Sequence, residues 1–337
     1  MGHRAVILAV SLSWLMLLAG CTVVKKPLDP LMGEFEGTFT PHGGRAIKAE
    51  AKVIANGDNI YWVVIRYPAA DAEATRLELT GQGQDGEVAI ASTDWLGSPV
   101  AGYWTGKVTK EALSIASDDA KGGKAEMKRV ERKSPTLGQK PPADAVVLLP
   151  FEEGKVTNLN RWDNQRWICQ PDGSILVGGG DNKTNQKFGS FKLHLEFRVP
   201  FMPAKLGSTR GKSGVFLHNR YEIEVVDSFG LKPGDTTCGA ISGLKAPDVD
   251  ASLPPGRWQT YDIEFKAPRF DKTNGEQTRG ALITVLLNGV KVQNAPEAVT
   301  GTAGGLGYPD KTGTIRLQDN ADPVQFRNIW LVEEKEK

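Results

Sequence analysis

The chain is poor in several things. Of its 337 residues only 3 are cysteine (Cys21, Cys169 and Cys238), and no CxxC, HExxH or grouped Cys/His pattern occurs. The common zinc sites are thereby excluded. A chain of this length can bury its own cores and needs no disulfide staples. Net charge is also missing: 41 Lys plus Arg against 40 Asp plus Glu leave a formal +1, so no long-range field draws nucleic acid. Long helical periodicities are scarce, and nothing repeats at a period of about 20 to 50 residues. What abounds is punctuation, 38 Gly and 20 Pro, which suits many short strands joined by tight turns.

The start, "MGHRAVILAVSLSWLMLLAGC", has a basic head at His3 and Arg4, an apolar run from Ala5 to Leu18, and "LAGC". The run is short for a membrane span and has the shape of an export signal. "LAGC" resembles the lipobox of bacterial lipoproteins. That resemblance implies a signal peptide over 1–20, lipidation of Cys21, and a spacer over 21–32. The protein is then exported and lipid-anchored to a bacterial membrane, at the outer membrane or the periplasmic face; Thr22 in place of Asp points to the outer membrane under the enterobacterial sorting rule. An ordinary signal peptide or a short anchor is the plainer alternative. Cys169 and Cys238 remain either a disulfide or two free thiols.

Residues 33–132 alternate over short segments such as "IYWVVIRY" and "ALSIASD", separated by turns such as "NGDN". They predict a small antiparallel β barrel or sandwich with no convergent titratable cluster. "KSPTLGQKPPADA" (133–145) reads as a linker. Residues 146–335 hold seven or more period-2 strands, predicting two sheets face to face in a jelly roll. In "FKLHLEFRV" Phe191, Leu193, Leu195, Phe197 and Val199 face inward, while Lys192, His194, Glu196 and Arg198 face solvent or a groove. Asn288-Gly289 in "LLNGVKV" predicts a two-residue hairpin turn. Trp258 and Trp330 read as core residues rather than sugar platforms. The fold class is all-β.

Six blocks, "FGSFKLHLEFRVP", "GKSGVFLHNRYEIEVVDSFG", "CGAISGLKAP", "ASLPPGRWQTYDIEFKAPRFD", "ITVLLNGVKVQN" and "IRLQDNADPVQFRNIWL", follow one another through the second half. Together they resemble the 3-keto-disaccharide hydrolase family, also described as 3-keto-glucoside 1,2-lyase/3-keto-2-hydroxyglucal hydratase. The resemblance implies a concanavalin A-like jelly roll that cleaves 3-keto-glycosides, and an upstream glycoside 3-dehydrogenase that makes the ketone. It leaves the N-terminal β domain unaccounted for. The chain departs from the family pattern at Glu224, where Gln is common, and at Asn320, where His is.

The reaction needs a base for the C2 proton, an acid for the leaving group, and donors for the enolate oxygen. "GVFLHNRYEIEVVDS" supplies candidates. Glu222 and Glu224 share one strand face. Asp227, at odd spacing, joins them only through a β-bulge. His218 pairs with Tyr221 or with Glu222 according to whether the hairpin loop has two or three residues; a purely structural histidine is the plain alternative. The catalytic candidates are therefore Glu222, Glu224, His218 and Asp227. For binding the candidates are Arg220, Arg316, Gln318 and Asp319, with Arg316 and Gln318 on one polar face of groove or solvent. A divalent cation with oxygen ligands is a further candidate among the three carboxylates. The long loop Ser228 to Pro247 is a rim over the groove or a cover on the sheet edge. Two other readings stay open: a non-catalytic carbohydrate-binding or laminin G-like module, and a retaining glycosidase that uses the E-x-E-x-x-D strand.

Overall fold

The computed structural model describes residues 28–68, 75–93 and 102–334. The signal segment, Cys21 and most of the spacer lie outside the described residues. No α-helix occurs among the described residues, only a 3-10 turn at Gly207–Thr209. No described helix is long and apolar enough to cross a membrane.

The first unit is a closed antiparallel barrel of eight strands running from Gly33–Pro41 to Gly123–Val130. The alternation seen in the sequence puts Phe35, Phe39, Val53, Val63, Ile65, Leu77, Leu79, Trp104 and Ile115 inside. Its first and last strands close it, Gly37 opposing Met127. A Cβ on Gly37 would lie 2.7 Å from Met127 Cα, so the seam needs glycine there.

The second unit is a sandwich of two antiparallel sheets. The larger carries Phe191–Arg198, Gln259–Lys266, Ala281–Leu287 and Gln325–Glu333 at its centre; the smaller orders Asn182–Lys183, Arg316–Leu317, Ser213–Leu217 and Tyr221–Val225. Phe191, Leu195, Phe197, Val215, Leu217, Tyr221, Ile223 and Val225 fill the space between them. The Asn288-Gly289 turn forms as its sequence predicts, with φ of 53° and 80° and Leu287 paired to Val290.

The outer face of the large sheet is solvated at Lys192 but covered over His194 and Glu196. Segment 133–145 lies against it: Gly138 N donates to Glu196 Oε1 at 2.6 Å, Thr136 Oγ1 to Asp262 Oδ2 at 2.6 Å, and Asn328 Nδ2 to the Gln139 carbonyl at 2.9 Å. His194 and Glu196, two of the outward residues of "FKLHLEFRV", are consequently buried. His194 Nδ1 meets Asp262 Oδ1 at 2.6 Å and its ring stacks on Trp330 at 5.0 Å, while Arg327 Nε holds Glu196 Oε2 at 2.7 Å. Residues 134–139 are thus a cover on the sheet, because their polar groups match those beneath, while 140–144 stay exposed.

Candidate active site

The strand Tyr221–Val225 alternates as its spacing requires. Tyr221, Ile223 and Val225 enter the core between the sheets. Glu222 and Glu224 project from the opposite face, across from Phe216 and Gly214. Glu222 folds over Gly214, where an added Cβ would fall 2.9 Å from its carboxyl carbon. The other edge of the strand is taken by the loop Ser228 to Pro247: Glu224 N donates to Ala240 O at 3.0 Å, Gly239 N to Glu224 O at 3.1 Å, and Ser242 N to Glu222 O at 3.0 Å. That loop covers the sheet edge and also brings a side chain to the carboxylates, since Ser242 Oγ donates to Glu224 Oε1 at 2.7 Å.

The two carboxylates are 4 % and 1 % exposed. Burial, and then the charge of Glu224, push Glu222 up to about 7 against the pull of Lys212, Ser242 and Arg316. Burial raises Glu224 as well, while Ser242 and Lys212 oppose the shift. Lys212 Nζ stands 3.5 Å from Glu224 Oε2. Arg316 lies over the Phe216 ring at 3.7 Å, pairs with Asp181 at 2.8 Å and donates to Gly304 O at 2.7 Å. On this face the buried acceptor Glu222 Oε1 and the buried donor Arg316 Nε have no hydrogen-bond partner, and Glu224 Oε2 has only the Lys212 ammonium at 3.5 Å.

Other sequence candidates are placed elsewhere. The hairpin loop is the three residues His218-Asn219-Arg220 with Leu217 paired to Tyr221, a register one residue away from the His218–Tyr221 pairing and two from the His218–Glu222 pairing, so that His218 lies in the loop itself. His218 and Asn219 both take φ of 55° to close it. The His218 ring therefore turns into the core, 4.5 Å from Phe265, with Nε2 2.9 Å from Gly189 O. Burial, with the Arg220 charge, pushes it down to about 4 against the pull of the Gly189 carbonyl. His218 does not meet the glutamates.

Asp227 does not join them either. The strand pairs without a bulge to Ser213 opposite Val225, and Asp227 is buried in an ion pair with Arg210 Nη2 at 3.0 Å. Burial raises its pKa while Arg210 opposes. The E-x-E-x-x-D spacing consequently makes no row of three carboxylates. The Arg220 guanidinium is spent on the carbonyls of His218, at 2.8 Å, and Tyr308, and so ties down the 302–310 loop. Asp319 orders backbone, accepting from Gly180 N at 2.7 Å and Ala321 N at 2.8 Å. Gln318 N donates to Gly214 O at 2.9 Å, and its side chain takes the amide of Asn320.

Sequence reasoning missed Lys212 and Ser242 as site residues. Both stand inside the blocks "GKSGVFLHN" and "CGAISGLKAP", but neither lies on the acidic strand. Among the described residues no group of three or more His, Cys, Asp or Glu is arranged to hold a metal ion. A cation seated on Glu224 would have to displace Lys212. Cys169 and Cys238 are free thiols, the latter buried 3.1 Å from Tyr261 Oη. Trp330 is buried, and Trp258 is half-buried beneath the guanidinium groups of Arg198 and Arg327 at 4.5 and 4.1 Å.

The profile of the 3-keto-alpha-glucoside-1,2-lyase-like domain family matches residues 146–332. A crystal structure described as a "putative glycosyl hydrolase", from Parabacteroides distasonis ATCC 8503, is 33% identical to this chain, covers 57% of it and 85% of its own length, and superposes with a TM-score of 0.50. A second structure from that organism, described in the same words, is 17% identical over 53% of this chain and 90% of its own, with a TM-score of 0.39, and carries no argument. No curated protein matches the chain.

Proposed function

The chain belongs to the 3-keto-alpha-glucoside-1,2-lyase-like domain family through residues 146–332, and on that premise we propose that it cleaves 3-keto-glycosides, with Glu222 and Glu224 as the working pair. The supporting observation is the buried carboxylate pair, with Glu222 held near 7 and the unpaired Glu222 Oε1 and Arg316 Nε beside it. Two buried polar atoms without partners cost stability unless a ligand completes them. An acceptor and a charged donor on either side of Phe216 suit a sugar hydroxyl and a ketone oxygen.

The chemistry follows from the charges. A ketone at C3 acidifies the C2 proton. Glu224, whose charged form Lys212 and Ser242 favour against burial, takes that proton, and the electron pair forms the enolate, whose oxygen Arg316 stabilises. The enolate collapses to break the C1–O bond, and Glu222, the carboxyl of higher pKa, protonates the departing oxygen. Water then adds across C1=C2 of the 3-keto-2-hydroxyglucal: Glu222 takes a proton from the water, whose oxygen bonds C1, and Glu224 returns its proton to C2. Both carboxyl groups regain their starting states, and the net change is hydrolysis.

The ketone has to be made by an oxidising enzyme, a glycoside 3-dehydrogenase, acting before this one. In this reading the N-terminal segment is an export signal and Cys21 carries a membrane lipid anchor; Cys21→Ser is expected to move the protein from the membrane to the soluble fraction, and a variant that stays membrane-bound overturns the anchor.

The decisive test offers a 3-keto-glucoside and the unoxidised glucoside side by side. Consumption of the keto sugar alone is expected. Equal consumption of both points to a retaining glycosidase, and binding without turnover to a carbohydrate-binding module; either result overturns the proposal.

A further inference from the structure

Among the contacts between the barrel and the sandwich, two bear on the segments that flank the acidic strand. In the first, Phe229 leaves the sandwich two residues after Asp227 and is completely buried in the barrel's own core. The Lys52 ammonium lies 4.9 Å from its ring centroid. Lys52 also pairs with Asp250 at 2.8 Å, Gly230 N donates to Asp250 Oδ2 at 3.1 Å, and Arg76 of the barrel donates to Gly230 O at 2.6 Å. In the second, the barrel turn "NGDN" presents Asn56, whose Oδ1 accepts from Arg210 Nη1 at 3.2 Å. Arg210 in turn pairs with Asp227, and its carbonyl accepts Asp227 N at 2.8 Å.

Arg210 and Lys212 belong to one short segment. Arg210 holds the end of the acidic strand, and Lys212 holds Glu224 in its middle. The Lys212 side chain is still 30% exposed. A lysine in that position loses rotamer freedom when it is held in one place, so its reach to Glu224 depends on how firmly its backbone is set. The Lys212 N–H donates to Asp322 Oδ2 at 2.8 Å, and Arg210 is set by the barrel. A buried pair such as Arg210–Asp227 is worth its desolvation only when its geometry is closely kept.

We propose that the N-terminal barrel is a positioning domain for the acidic strand: by seating Phe229 and holding Arg210 through Asn56, it fixes the 210–212 segment that sets Lys212 against Glu224. The inference rests on Glu222 and Glu224 being the working pair and not on which sugar they serve. The charged groups that act on the pair are Lys212, Arg316 and Asp235, with Ser242 as a neutral donor. Lys212 is the one within two residues of a barrel contact.

The test titrates the two carboxyl groups directly, by 13C NMR of the full chain labelled at glutamate, with the signals assigned from Glu222→Gln and Glu224→Gln. Lys212→Met removes an opposite charge and is expected to raise the pair's titration by about one unit. Phe229→Ala is expected to shift it in the same direction. In the double variant Phe229→Ala adds nothing to Lys212→Met, because both act through the same ammonium. Leu113→Ala, a core truncation on the strand Ala112–Ser117, which makes none of these contacts, is expected to weaken the barrel without moving the titration.

A wild-type titration in Phe229→Ala, or shifts that simply add in the double variant, overturns the proposal. Should Phe229→Ala fail to fold, Asn56→Ala poses the same question with the same two outcomes. These readings do not depend on turnover, so an absence of activity on 3-keto-glucosides would sink the proposed reaction and leave this inference standing.

Discussion

Glu222 shows how one side chain can be costly to the fold and useful to the site. Its ordinary value of 4.5 is pushed up to about 7 in the folded protein. The native state therefore holds a proton that the unfolded chain releases, and stability falls as pH rises from about 4.5 to about 7. Glu222→Gln removes that penalty. The variant is expected to be more stable than wild type at pH 8, by an amount on the order of 1–3 kcal/mol, and no more stable at pH 4, as urea denaturation at the two pH values would read. The same substitution is expected to cut turnover of a 3-keto-glucoside by at least about a hundredfold, since amide nitrogen donates no proton to the leaving oxygen. Full activity in Glu222→Gln would remove Glu222 from the chemistry. The pairing of Glu222 with Glu224 is legible in the sequence because a strand has period 2. That His218 and Asp227 stand apart is not, because it turns on a one-residue hairpin register and on a salt bridge to distant Arg210.

At the scale of elements, segment 133–145 is the clearest case of chain that reads as a linker and packs as structure. Glycine, serine, proline and glutamine make a stretch look flexible. Here Thr136 and Gly138 satisfy Asp262 and Glu196 on the polar face of a sheet, and Asp262 in turn holds His194. Burial works against a charge on His194, but the hydrogen bonds and charges of Asp262 and Glu196 outweigh it and raise its pKa. Glu196 is lowered to about 2: burial opposes its charge, and His194, Asn328, the Gly138 amide and Arg327 prevail. A raised histidine contributes stability that is full below its ordinary value of 6.5 and lost as pH rises through the folded value. Wild type is therefore expected to exceed His194→Gln in stability most at pH 6, with the gap narrowing towards pH 9. A gap that is constant with pH would mean that His194 holds the cover as a neutral ring. Limited proteolysis is expected to cut Asp262→Asn faster than wild type within 133–145.

At the scale of the whole molecule, the two units share core as well as surface, since Phe229 belongs by chain to the sandwich and by packing to the barrel. A peg of that kind couples their unfolding. Calorimetry of the wild type is expected to show one transition and Phe229→Ala two, the barrel melting apart from the sandwich; a single transition in both would show that the remaining contacts suffice. The sequence marks two units and the place where they part. It does not mark the peg, because a phenylalanine in "DSFGLK" looks the same whether it fills its own core or a neighbour's.

Much of what rests on local geometry was already present in the amino-acid order: alternating strands, the Asn288-Gly289 turn, the all-β class, and two glutamates on one face, though not the His218 hairpin register. Everything that rests on contacts far apart in the chain came from folding: Lys212 and Ser242 at the carboxylates, the cover over His194, and the barrel's hold on Arg210. The difference is physical. Strand period and turn preference act over a few neighbouring residues, whereas burial and charge, which set Glu222 near 7, are sums over groups that meet only when the chain has folded.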